Sequence, residues 1–307
     1  KNIKNKYLII LPICIPILIL LFASFYRSNN RENLKIQNQP LITIVQPNIK
    51  QKAKWDILKR TSHIETLVKL STQKSIEYIN TNRIIIWPET SFEGVIPKDL
   101  DLISNITNDI INNTNTSLII GTLSFENKNL FNSLIYINSL GNLEYKYDKI
   151  HLVPFGEYIP FISFIKSFGF MKNQRDFSSG IMNKNFKISN IGDVLPLICY
   201  EVLFSEEVRN RLSNNTKLII NITNDAWFGD TSGPHQHLAL AKIRAVEFGI
   251  PLVRVANTGI SAFISPYGKE ILRIPLNTKD VKTTPLLSAL DMTIYRKYGD
   301  YIFSVSI

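Results

Sequence analysis

Cysteine is the scarcest residue in this 307-residue chain, with only Cys14 and Cys199. Cys14 lies inside an apolar N-terminal run, so the two do not read as a disulfide and Cys199 is left free. Histidine is scarce too, at four. His235 and His237 stand near a helix start at ligand-like spacing, but no third ligand lies at usable spacing, which argues against a metal centre. Lysine and arginine number 35 against 25 acidic residues, a net charge of +10, yet they are scattered along the chain with no basic stripe. That distribution argues against nucleic-acid binding. It leaves a basic surface near anionic lipid headgroups or a plainly solvated face. No internal repeat is visible. The longest gap is in charge: from Tyr7 to Tyr26 there is no charged residue.

Those twenty positions are enough to cross a bilayer as a helix, with Pro12 and Pro16 as kinks that membrane helices tolerate. A cleaved signal peptide is the competing reading, because lysines precede the run. The run exceeds the ~7–15 apolar residues of a signal core, however, and no clean small-x-small site follows it. Lys1, Lys4 and Lys6 on one side balance Arg27, Arg31 and Lys35 on the other, so charge does not set the orientation. The organisation expected is a transmembrane segment over 1–26, a polar linker over 27–40, a main globular domain over 41–290, and a tail over 291–307. The closing YIFSVSI of that tail reads as the opening turns of a second span. With 45% apolar residues, the remainder has ample material for a core.

LITIVQPN (41–48) and RIIIWPET (83–90) read as strands that run into a proline, the second ending on a carboxylate, Glu89. Between them, helical spacing over 52–79 puts Ile57, Ile64, Leu67 and Leu70 on one side. Runs over 117–125, 132–138 and 143–149 are further strands, the last two forming a hairpin about Gly141 and Asn142. HLVPFGEYIP (151–160) is a loop of fixed shape. After it, residues 161–190 carry Phe161, Phe164, Phe168, Phe170 and Met171, which suit a lid dipping into lipid or a packed flap. LPLICYE (195–201) is a buried strand that delivers Cys199. A short helix, a strand over 217–225, a helix over 236–248 and three further strands complete an α/β sheet covered by helices.

Glu89, Lys149 and Cys199 thus share an address, at or just beyond the C-terminal ends of strands in one sheet, where open α/β sheets bind ligands. A thiol, a carboxylate able to take its proton and a fixed ammonium for a developing oxyanion together suit acyl transfer. Each alone has a plainer reading. Glu89 could cap the next segment, Lys149 could be a surface charge, and Cys199 could be an inert core thiol.

WPET, YDKIHLVPFGEY and ICYE, in this order, resemble the glutamate, lysine and cysteine motifs of the nitrilase, or carbon–nitrogen hydrolase, superfamily. HLVPFGEYIP, NDAWFGDTSGPHQH, AKIRAVEFGIPLVRVAN and NTGISA are similar to signatures of the apolipoprotein N-acyltransferase family, over roughly 41–275. The resemblance implies an α/β fold, a nitrilase-like α-β-β-α sandwich preceded by a transmembrane helix. It also implies a ping-pong reaction without a cofactor. Cys199 would take an acyl chain from a phospholipid as a thioester with Glu89 as base. Lys149 would steady both tetrahedral intermediates, and the acceptor would be the α-amino group of a diacylglyceryl-cysteine apolipoprotein. Glu157 matches the family's second essential glutamate, or else holds its own loop as a hydrogen-bond acceptor. Tyr200 and Glu201 match the residues flanking the nucleophile, and Trp227 and Phe228 line an acyl groove or sit in the core. The place implied is the bacterial inner membrane, with the catalytic domain on the periplasmic side.

His235 departs from the family, which commonly has an aromatic there, and Thr258 and Ser261 are mild substitutions. The family carries several membrane helices ahead of the domain and one behind it, whereas one span and a short apolar tail are legible here. Two other readings stand beside this one: a membrane-tethered amidase or nitrilase that passes the acyl group to water, and an inactive nitrilase-like domain.

Overall fold

The computed structural model describes residues 14, 15, 17–19, 21–26, 36–73, 81–111, 115–158, 176–181 and 185–301, and the chain divides into two units, 1–36 and 37–307. In the first unit the described residues from 14 to 26 are helical, and apolar side chains stand bare on them: Leu18, Leu21, Phe22 and Phe25 are 62%, 62%, 71% and 72% exposed. Among the described residues no helix is long and apolar enough to cross a membrane. The span expected over 1–26 lies partly outside those residues. So do most of the aromatic insertion, including Phe161 to Met171, and the tail beyond 301.

The second unit is built on strands whose apolar runs are continuous rather than alternating, the pattern of sheets covered on both faces. In the first sheet β1 (Ile36–Gln46), β2 (Arg83–Ile86) and β4 (Thr116–Glu126) are parallel. Antiparallel hairpins extend it through β5 (Asn129–Ile137) and β6 (Leu143–Asp148). The short β3 (Val95–Ile96) pairs with β4, and β13 (Asp280–Leu287) flanks β1. The second sheet runs β12 (Glu270–Ile274), β11 (Ser261–Ile264), β10 (Leu252–Ala256), β9 (Thr216–Thr223), β8 (Gly192–Ile198), β7 (Phe186–Ile188), with β8, β9 and β10 parallel at its centre.

Two-residue alternation sorts the buried side chains into layers. Val45, Ile85, Leu118 and Ile135 pack outward with Leu67 and Leu70 of α1 (Arg60–Thr72) and Ile103, Ile106 and Ile110 of α2 (Leu100–Ile111). On the second sheet Leu195, Leu197, Ile219 and Leu252 pack outward with Val208 of α3 (Ser205–Arg211) and Leu238, Ala241, Ala245 and Phe248 of α4 (Gly233–Phe248). The intervening Ile44, Ile86, Ile119, Leu134, Val194, Ile198, Ile220 and Val253 are at most 3% exposed. They fill the space between the sheets. Contacts cross that space directly: Ser261 donates to Gln46 (2.6 Å), and the Tyr145 and Phe186 rings stack with centroids 4.4 Å apart. The result is an α-β-β-α sandwich, closed by a short C-terminal helix, α5 (Ile294–Tyr298).

The strand pattern alone reads as a single sheet; the structure has two face to face, as in the α-β-β-α sandwich that the family resemblance implies. A run buried on both sides looks the same in sequence whether a helix or a second sheet covers it. Ile57 also differs from expectation. It is 86% exposed in a 3₁₀ turn, Ile57–Lys59, capped by Asp56, so α1 starts later and in a different phase.

At Gly121 of β4 a Cβ would lie 2.2 Å from the Pro88 carbonyl oxygen and 2.7 Å from the Glu89 Cα. Only glycine lets the loop after β2 approach so closely. Gly121→Ala is expected to push Glu89 out of place and lower the melting temperature measurably, whereas alanine at the open Gly156, whose nearest neighbour lies at 3.5 Å, should leave it nearly unchanged. Thermal unfolding followed by circular dichroism checks both.

Candidate active site

Each strand end delivers one side chain to a single cavity of about 430 Å³, lined by Lys54, Glu89, Lys149, Glu157, Cys199 and Tyr200 among others. Glu89 follows β2 after Trp87, which is wholly buried and donates from Nε1 to the Ser71 hydroxyl at 2.8 Å. Lys149 is the first residue past β6. Its N–H donates to the Asn132 carbonyl, and its own carbonyl accepts from the Gly180 N–H, each at 2.8 Å. Cys199 is the first residue past β8 and opens the 3₁₀ turn Cys199–Leu203. The site thus gathers side chains from both sheets, at the same end of each.

The carboxylates and the lysine form a linked set. Lys149 Nζ donates to Glu157 Oε2 at 2.7 Å and lies 4.0 Å from Glu89 Oε1. Asn132 Nδ2 on β5 reaches both carboxylates, Glu89 Oε1 at 2.7 Å and Glu157 Oε1 at 3.0 Å. Glu157 also accepts from the Val153 N–H at 2.9 Å, so it holds its loop and the lysine together. A second lysine, Lys54, is buried in the cavity wall and donates to the Glu89 carbonyl oxygen at 3.0 Å.

Burial sets the protonation states. It raises Glu89 above the usual carboxylate range, with Lys149, Lys54 and Asn132 opposing and Glu157 reinforcing. Burial alone would lower Lys149, but the charges of Cys199, Glu89 and Glu157 outweigh it, and the ammonium is held charged. The Cys199 thiol is pushed up to about 12, first by burial and then by Glu89, while Lys149 and the Thr223 hydroxyl pull it down. Burial lowers Lys54 to about 8 against the pull of Glu89, Glu93 and Cys199. A protonated thiol beside a carboxylate of raised pKa is a donor and acceptor pair for proton transfer at the moment of attack.

Cys199 has φ +55°, a left-handed backbone that non-glycine residues adopt at a cost of about 1–2 kcal/mol. Glu201 holds the segment in place. Its Oε2 accepts from the Ile198 N–H at 2.7 Å, while Oε1 accepts from the Tyr147 hydroxyl (2.7 Å), the Ile150 N–H (2.8 Å) and the His151 N–H (3.2 Å). One carboxylate thereby ties the end of β8 to the segment carrying Lys149. Tyr200 stacks on His237 with centroids 5.2 Å apart. Trp227 is 75% exposed beside the cavity, away from any core, and Phe228 is half-buried and edge-on to Tyr200. Trp55 and Phe155, 50% and 78% exposed, line the same cavity.

The structure therefore brings Glu89, Lys149, Cys199, Glu157, Tyr200, Trp227 and Phe228 to one cavity, with Glu201 directly behind it. His235 is exposed and His237 buried, and among the described residues no group of side chains could hold a metal ion. Lys54 and Asn132 are the residues the sequence did not single out, and His237 stands there only as half of a metal pair. Asn132 could have been found, as the one polar amide heading the inward-facing NSLIYIN strand. Lys54 sits in a polar turn with no distinguishing pattern.

Comparison with known proteins gives a consistent picture. The carbon–nitrogen hydrolase family model matches residues 41–290. The chain is 34% identical over 272 residues to the apolipoprotein N-acyltransferase of Bradyrhizobium diazoefficiens, covering 84% of this chain and 50% of that protein. It is 34% identical over 278 residues to that of Rickettsia prowazekii, covering 87% and 53%. The chain spans about half the length of the curated relatives it matches. Among solved structures it is similar to a member of branch 10 of the nitrilase superfamily from Saccharomyces cerevisiae, with TM-score 0.61, 18% identity, and 82% and 91% of the two chains covered. A mutant amidase from Nesterenkonia superposes with TM-score 0.58 at 17% identity, over 86% and 95%. At these identities the solved structures establish the fold.

Glu201→Ala would strand two buried donors, the Tyr147 hydroxyl and the Ile198 N–H, at roughly 1–3 kcal/mol each, and two part-buried N–H groups at less. We expect a loss of about 3 kcal/mol or more in urea unfolding. Glu201→Gln, which keeps the shape but not the full acceptor capacity, should lose less.

Proposed function

The chain belongs to the carbon–nitrogen hydrolase family, and on that basis we propose that it is an N-acyltransferase of lipoprotein maturation. It moves an acyl chain from a phospholipid through a Cys199 thioester to the α-amino group of a diacylglyceryl-cysteine apolipoprotein. The observation that carries the reading is the meeting of Glu89, Lys149 and Cys199 in one cavity rimmed by exposed aromatics. The similarity to apolipoprotein N-acyltransferases over more than four-fifths of the chain supports it.

In the proposed reaction Glu89 takes the thiol proton as sulfur attacks the ester carbonyl carbon. The charged Lys149, fixed by Glu157, and the backbone N–H of Tyr200 stabilise the oxyanion. Collapse expels the lysophospholipid alkoxide, which recovers the proton from Glu89 and leaves the thioester. The acceptor amine then attacks the thioester carbon and gives its proton to Glu89. Collapse releases the amide and the thiolate, which is reprotonated. Trp55, Phe155, Trp227 and Phe228 provide apolar surface for the acyl chain, with Trp227 and Phe155 bare enough to enter a lipid interface.

Membrane residence belongs to the same proposal. The uncharged stretch from Tyr7 to Tyr26 and the bare apolar side chains on its helical residues support a span; a catalytic domain on the outer face of the bacterial inner membrane rests on the resemblance to the apolipoprotein N-acyltransferases alone.

With labelled phosphatidylethanolamine, the reconstituted protein should form an acyl-thioester that Cys199→Ala lacks and that Glu89→Gln forms at least 10²-fold more slowly. An equal signal from Cys199→Ala would overturn the assignment. A thioester that yields only free fatty acid in the presence of a diacylated lipopeptide would favour the amidase-like reaction instead. Because burial raises Glu89, thioester formation should fall with decreasing pH through a midpoint above the ordinary carboxylate range, read from single-turnover rates.

A further inference from the structure

Behind the cysteine, on the side away from the cavity, lies a buried polar cluster that the proposed reaction does not use. Asp225 follows β9, His237 lies on α4, Arg254 lies on β10 and Asn221 on β9, and none is more than 2% exposed. Charged and polar groups this deep are retained only when each is bonded. Here the bonds converge on one backbone atom. The Cys199 carbonyl oxygen lies 3.2 Å from His237 Nε2 and accepts from Asn221 Nδ2 at 3.1 Å. Asn221 is itself fixed by Arg254, whose NH1 donates to Asn221 Oδ1 at 2.8 Å. Arg254 NH2 donates to Asp225 Oδ2 at 2.6 Å and lies 3.1 Å from His237 Nδ1. Asp225 Oδ1 stands 3.0 Å from that same Nδ1.

The proton on His237 can be placed by elimination. A carbonyl has no proton to give, so Nε2 carries one. In the neutral ring Nδ1 then accepts from Arg254 NH2, and Asp225 Oδ1 takes the Thr223 hydroxyl, 3.2 Å away. In the cationic ring Nδ1–H donates to Asp225 instead. Either way Nε2–H points at the Cys199 carbonyl, so His237 is not a base for the thiol.

We propose that His237 and Asn221, locked by Arg254 and Asp225, form a clamp on the Cys199–Tyr200 peptide that holds Cys199 in its left-handed conformation and aims the Tyr200 N–H at the reacting oxyanion. The inference rests on the acyl-transfer reading above. In a trans peptide the N–H points opposite to the C=O. A carbonyl drawn toward the cluster under α4 therefore turns the Tyr200 N–H the other way. Tyr200 lies in the first turn of a 3₁₀ segment, where N–H groups have no partner within the helix. His237 and Asn221 are positioning residues: they act on the oxyanion through a peptide plane and touch no substrate. The Asp225 carboxylate that helps lock them also sets the tight fit of Gly259, where a Cβ would lie 2.2 Å from Asp225 Oδ2.

The test compares single-turnover thioester formation in His237→Leu, His237→Gln and Asn221→Asp, with melting temperatures alongside. Gln can place an amide N–H near the Nε2 position and Leu cannot; Asp keeps the acceptor for Arg254 but loses the donor to Cys199. Misplacing a reacting group by ~1 Å can cost 10²-fold. We expect His237→Leu to slow acylation ~10²-fold with the KM for the ester within about twofold. Asn221→Asp should slow it ~10-fold, and Gln should restore most of the histidine rate. Wild-type rates in Leu and Asp, or equal losses in Leu and Gln that track melting temperature, would overturn the clamp. If the wild type forms no thioester at all, the acyl-transfer reading fails first. Alkylation of Cys199 by iodoacetamide then still separates the cases: a slowing of alkylation in Leu that Gln restores supports a clamp on the cysteine, and identical alkylation in all three variants overturns it.

Discussion

Everything at the working end of this domain depends on one carboxylate that touches no substrate in the proposed reaction. Glu201 takes hydrogen bonds from β8 with one oxygen and from the β6 side with the other. Two sheets facing each other across apolar side chains have no intrinsic reason to hold their strand ends in fixed relation, since dispersion and area burial are non-directional. A charged acceptor with four donors is directional, and charge-assisted bonds of this kind are roughly twice as strong as neutral ones. Glu201 therefore converts a pair of packed sheets into a fixed distance between Lys149 and Cys199.

The site is layered around that fixed point. Next to the cavity, Lys149, Glu157, Asn132 and Glu89 form a chain in which two negative groups share one ammonium and one amide. On the opposite side of the cysteine, Arg254 and Asp225 pair with no exposure at all. Burial alone would raise Asp225, but Arg254 and His237 hold its carboxyl well below the usual range, so it stays ionised as their counter-charge. Between the two polar layers burial, reinforced by Glu89, keeps the thiol neutral, and the surrounding negative groups keep the ammonium charged.

Much of this was legible in the sequence, and the limits have physical causes. Glu89, Lys149 and Cys199 could be read because each ends a continuous β-rich run, and such runs end where a sheet meets its ligand edge. The number of sheets could not be read from the strand pattern and came only with the motif resemblance, because Leu195 and Leu197 face a helix while Val194 and Ile198 face a sheet, and apolar residues serve both. The helix α2 went unread although Ile103, Ile106 and Ile110 repeat at helical spacing; asparagine and aspartate interleave them and lower the local propensity. Strand β13 is an edge strand with Pro285 inside it and exposed side chains along it, which is how edges are protected and also how their signal is weakened. Lys54 and His237 acquire their roles only through tertiary contacts 35 and 38 residues away along the chain.

The buried, protonated state of Cys199 has a bearing on chemical durability. Oxidants attack the thiolate, and susceptibility follows thiolate character and exposure. A thiol pushed up to about 12 and only 7% exposed presents almost none of the vulnerable species at neutral pH. In the proposed reaction, sulfur becomes reactive only when an ester carbon arrives within its reach while Glu89 is free to take the proton. The same desolvation that makes the resting sulfur a poor nucleophile thus acts as its antioxidant.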